Sequence, residues 1–76
     1  MIHEANKQLK RAWSARFNTL PLEARLALRG ALQDLRKHGL ARAQYCWKKH
    51  KAPMAVYWKV VGVYAGHLAR SIKVDD

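Results

Sequence analysis

"VYWKVVGVY", residues 56–64, is the stretch on which the fold class turns. Its β-branched and aromatic residues suit a strand. Its polar and small positions suit a helix instead. Lys59, Gly62, Gly66, Arg70 and Lys73 follow one another at intervals of 3, 4, 4 and 3, a line down one side of an α-helix. A strand would also need a partner, and the sequence holds no second strand-like run. The segment therefore reads as a helix near 53–73, opened by Pro53 and apolar around most of its circumference. Such a helix belongs at the centre, packed by the others.

Working outward from it, Pro21 opens "PLEARLALRGALQDLRKH", with Glu23 in the first turn. Gly39 follows Arg36, Lys37 and His38, the cations-then-glycine pattern that ends helices. Four helices are expected, near 3–17, 21–38, 40–51 and 53–73. Leu9, Trp13 and Phe17, with Ala5 a turn earlier, give the first an apolar stripe, and Ala24, Leu28, Ala31, Leu32 and Leu35 give one to the second. The expected fold is all-α, one compact bundle of three to four short helices spanning residues 1–76.

"LRKHGLARAQYCW", residues 35–47, adds a finer expectation. The turn glycine followed by Leu40 resembles a helix-turn-helix hairpin, whose second helix would offer Arg42, Gln44, Tyr45, Lys48 and Lys49 to a major groove. The match is partial. Leu35 stands where a small residue is usual, and Tyr45 where a buried aliphatic one is.

The chain has 76 residues, half of them hydrophobic, so it holds one core and is not a disordered tail. The lone cysteine, Cys46, excludes an internal disulfide, and "MIHEANKQLKRAW" has charged and amide residues where a secretory leader needs an apolar run. The expected location is cytoplasmic. Lys59, His67 and Arg70 interrupt the most apolar segment, so no membrane partner is expected. Gly62 and Gly66, four apart, would let another backbone approach closely, either a neighbouring helix or a second chain in a homodimer.

Charge is the strongest global signal. Fifteen Lys and Arg against five Asp and Glu give a net +10, and no carboxylate side chain occurs from Leu35 through Val74. Self-repulsion on this scale points to a negatively charged partner.

"QYCWKKHKAP", residues 44–53, concentrates the chemistry. Cys46 and His50 are four apart, a two-ligand spacing, but a structural zinc needs four ligands and no second spaced pair exists. A lone cysteine with a histidine four residues on establishes neither a catalytic base nor an oxyanion site, the acids show no pairing, and no glycine-rich phosphate loop occurs. No enzyme activity, metal or cofactor is expected. On a helical wheel Leu40, Ala43 and Trp47 share one side, and Arg42, Tyr45, Lys48 and Lys49 the other. His50 and Lys51 suit the negative end of a helix dipole. Arg25, Arg29 and Arg36 form a second basic column, with Gln33 nearby.

The expected function is that of a small basic nucleic-acid-binding protein, accessory or regulatory. It would contact phosphates, of DNA in preference to RNA, through Arg25, Arg29, Arg36, Arg42, Lys48 and Lys49, with Tyr45 stacking on a base or sugar. The alternative is a protein-interaction module docking on an acidic or RNA-containing complex. Leu22 and Leu26, which fall outside the Leu28 stripe, would then be the contact residues.

Overall fold

The computed structural model describes residues 2–74, with side chains from Lys7 onward. Ala5 of the expected first stripe, and the acids Glu4, Asp75 and Asp76, lie outside the side chains so described. Three helices follow in order: α1 (Ile2–Phe17), α2 (Leu22–Lys48) and α3 (Ala52–Arg70). Among the described residues there is no strand, and the stretch 56–64 lies inside α3.

The expected break at Gly39 is absent. Residues 22–48 form one continuous helix, so the second and third expected helices are one, and no helix-turn-helix hairpin forms there. Strong helix formers flank Gly39 on both sides, and the glycine serves packing rather than termination. A Cβ at Gly39 would lie 2.9 Å from the Gly62 nitrogen and 3.0 Å from the Trp58 carbonyl oxygen. Here α2 and α3 touch backbone to backbone.

The helix stops ten residues later instead, at a different residue type. His50 has φ 58°, the left-handed conformation that favours glycine. The Lys51 N–H donates to Cys46 O at 2.8 Å and the His50 N–H to Trp47 O at 3.1 Å. These are the paired bonds of a Schellman close. The turn sends α3 back antiparallel along α2, and Pro53 fits its first turn, where no N–H is needed.

The seam between the two helices is built of small residues. Gly39, Ala43 and Cys46 of α2 are buried against Ala55, Gly62, Ala65, Gly66 and Ala69 of α3. Beyond α3, Ser71 and Ile72 are buried as well. The expected Leu28–Leu35 stripe does not form a deep core: Leu28 and Leu32 are half-buried, and Leu35 is exposed. Leu40, outside that stripe, is the leucine that packs on α3, its side chain lying over Gly62.

α1 is tied on near its C-terminal end. Ser14 Oγ donates to the Ser71 carbonyl oxygen at 3.0 Å. Asn18 Nδ2 donates to Ser14 O at 2.8 Å, and Asn18 Oδ1 accepts from the Lys73 N–H at 3.0 Å. Trp13 stacks on Phe17 at 5.7 Å, yet Trp13 stays 41% exposed. The molecule is flattened, 45 × 28 × 13 Å, with a radius of gyration of 14.0 Å. A compact chain of this length would have about 11 Å. The bundle is thus three-helical and flatter than the compact one expected.

Candidate nucleic-acid interface

Because α2 is continuous, the two expected basic sets share one helical register. Arg36 and Tyr45 are nine residues apart, about 180° around the axis. The arginine column and the Tyr45 cluster therefore occupy opposite sides of α2, not one surface.

The Tyr45 side lies near the α2–α3 turn. Tyr45 is 48% exposed. The Arg42 guanidinium sits 5.3 Å from its ring centroid and Lys49 Nζ 5.8 Å, so a cation flanks the ring from each end. Arg42 also lies 5.8 Å from the Trp58 ring, which His38 meets edge-on at 5.4 Å. These contacts hold Arg42 over the seam and lean it toward Tyr45. Lys48 is exposed at the last position of the helix.

The arginine column is divided in use. Arg25 Nε donates to Leu20 O at 3.0 Å, and Arg25 Nη1 to Lys73 O at 2.7 Å. It ties the turn before α2 to the chain beyond α3, a structural task that the sequence does not announce. Arg29 is half-buried on the same flank. Arg36 lies with its stem over Gly66, where a Cβ would come within 2.9 Å of its Cδ. Only a glycine lets this arginine lie flat across α3.

Arg36 is there joined by residues not assigned to the site from the sequence. Gln33, Arg36 and Lys37 of α2 and Arg70 of α3 surround a floor of Gly66 and Ala69, enclosing a groove of about 370 Å³. Arg70 Nη2 donates to His67 Nδ1 at 2.9 Å, which steadies it at the rim. One signal did foreshadow this wall. The Gly62–Gly66–Arg70 line places a cation one turn beyond the glycine on the same face.

No family model matches this chain. Neither does any curated protein or any solved structure.

The groove carries three cations and one amide on a floor of glycine and alanine, and its lining includes no carboxylate. Such a lining suits an anion with several oxygens. Guanidinium groups take two of them at once, and the ammonium acts as a point charge. The other expected features fall out differently. Cys46 is buried in the seam, while His50 lies past the helix end and is exposed, so the two share no helical face. Among the described residues no three His, Cys, Asp or Glu side chains are grouped to hold a metal. No helix of the described residues is long and apolar enough to cross a membrane. Leu22 and Leu26 are 37% and 49% exposed.

Proposed function

We propose that this protein binds nucleic acid as an accessory or regulatory factor, seating backbone phosphates in the Arg36–Lys37–Arg70 groove. The observation that carries the reading is that groove: cations from two helices converge on a floor of small residues in a carboxylate-free lining. Tyr45, flanked by Arg42 and Lys49, adds a stacking platform on the other side of α2. A recognition helix would favour duplex DNA. With α2 unbroken, the remaining chemistry is phosphate contact plus one aromatic platform, the combination of single-strand binders.

The test is binding to labelled duplex DNA, single-stranded DNA and hairpin RNA across a salt series. Log K should fall linearly with log salt, with a slope near −0.7 per neutralised phosphate on single strands. The double variant Arg36→Glu/Arg70→Glu, and separately Lys48→Glu/Lys49→Glu, should weaken all sequences alike and flatten that slope. Tyr45→Ala should cost single strands more than duplex, by about 1–3 kcal/mol if one base stacks there. Unchanged affinity of both charge-reversal variants for every ligand would sink the reading.

A second reading, docking on an acidic or nucleoprotein partner, is favoured by the exposure of Leu22 and Leu26 beside Arg25 and Arg29. Leu26→Glu separates it from the first. Retained helicity and nucleic-acid affinity with lost capture of an acidic protein complex would support docking, and unaltered capture would dismiss it.

A further inference from the structure

The outer side of α3, opposite α2, is apolar and uncovered. Val56, Tyr57, Val60 and Val63 are 53%, 56%, 45% and 39% exposed. With the half-buried Tyr64 and His67 they span an arc of about 120° that contains no Lys, Arg, Asp or Glu. On a chain of net charge +10, that absence is informative. A surface serving polyanions or solubility alone has no reason to omit cations here. From Val56 to Val60 to Val63 to His67 the spacing is 4, 3, 4, the seam of a helix that packs along another helix.

We propose that a second copy of this chain covers this strip, α3 pairing antiparallel with the partner's α3 about a two-fold axis close to Val60. Three observations select a second copy. The strip is self-complementary: an axis there sets Val60 against the partner's Val60, and Val56 beside the partner's Val63. The area also fits. The chain exposes 5842 Å². A folded monomer of 8.8 kDa should expose about 4,800 Å². The excess of about 1,000 Å², part of which belongs to α1, is of the order of the about 800 Å² each partner contributes to a standard interface. Finally, the monomer's core is thin: apart from Ile72 its buried apolar residues are alanines and Cys46, and no large side chain among the described residues is fully buried. A paired α3 would gain apolar cover on both sides.

Arg36 and Lys37 of the groove lie on α2, away from the strip, while Arg70 borders it through its bond to His67. The pairing does not depend on the nucleic-acid reading. Lys59 flanks the strip near the axis, so copies repel there and across their net charge. Salt should therefore tighten the dimer while weakening any binding to nucleic acid. The two inferences respond to salt with opposite signs and can fail separately.

The experiment is sedimentation equilibrium of the full, nuclease-treated protein over a wide concentration range, at low and at high salt. The expected result is a mass of twice 8.8 kDa, with a dissociation constant that falls as salt rises. Val60→Lys, which enters a symmetric interface twice, should raise that constant at least about a hundredfold at unchanged helicity. Should Val60→Lys fail to fold, Val60→Cys replaces it. A disulfide-linked dimer on mild oxidation is then expected, the native Cys46 being buried. A monomer at every concentration and salt would overturn the proposal. So would a dimer indifferent to Val60→Lys, or the absence of cross-linking through Val60→Cys.

Discussion

His50 closes α2 in a conformation that costs a residue with a Cβ about 1–2 kcal/mol. Replacing it with glycine removes that strain and adds back some unfolded-state entropy, roughly 0.5–1 kcal/mol. His50→Gly should therefore stabilise the fold by about 0.5–1 kcal/mol, read as a higher urea midpoint with an unchanged m-value. A lower midpoint would mean that the imidazole makes a favourable contribution to the turn larger than the strain. This position also shows where residue-level reading of the sequence fails. Glycine after a basic run signals a stop, and the chain has that pattern at Gly39. Yet the helix continues through Gly39 and is closed off by a left-handed histidine past Lys48, because the glycine serves a contact with α3 that lies 23 residues further along the chain. Local rules carry no information about that contact.

At the scale of the elements, the α2–α3 seam distinguishes glycines that the sequence makes look alike. A Cβ on Gly39 meets backbone atoms of Gly62 and Trp58, which cannot move aside without parting the helices. Gly39→Ala should destabilise by about 1–3 kcal/mol despite the better helix propensity of alanine. A Cβ on Gly66 meets only the flexible stem of Arg36. Gly66→Ala should leave stability unchanged or raised by up to about 1 kcal/mol, while displacing Arg36 and weakening polyanion binding. Chemical denaturation and a binding titration on the same two variants check the pair. Equal stability losses would show that Arg36 is fixed as rigidly as backbone. The helix class of α3, its start within one residue of Pro53 and its glycine–cation line from Lys59 to Arg70 were legible, because each depends on spacing within one element, whereas Lys73 of that line lies beyond the helix. The groove was not, because Arg36 and Arg70 meet only through the antiparallel return of α3.

For the whole molecule, charge and shape pull in opposite directions. A flat body with a seam of alanine and glycine has little buried apolar area to set against the mutual repulsion of a net +10. Screening should then matter more than in a neutral domain. Raising ionic strength from about 0.01 to about 0.15 M shortens the Debye length from about 30 to about 8 Å. The melting temperature should rise by about 4–8 °C, equivalent to about 1 kcal/mol, followed by circular dichroism. A melting temperature that falls with salt would indicate that attractive ion pairs dominate. Net charge is read directly from the sequence and so is the all-helical class. The flatness is not, because composition gives the number of leucines and not whether three helices can enclose them.

The seam also bears on inheritance. Every substitution of a glycine adds a Cβ, and at position 39 that Cβ would lie closer than van der Waals contact to backbone atoms of α3, so the position has no permissive neighbour in sequence space. At Gly30 a Cβ would meet nothing within 4 Å. Descendants of this chain are free to drift at residue 30 and are held at residue 39. Any lineage that abandons Gly39 must first pry its helices apart.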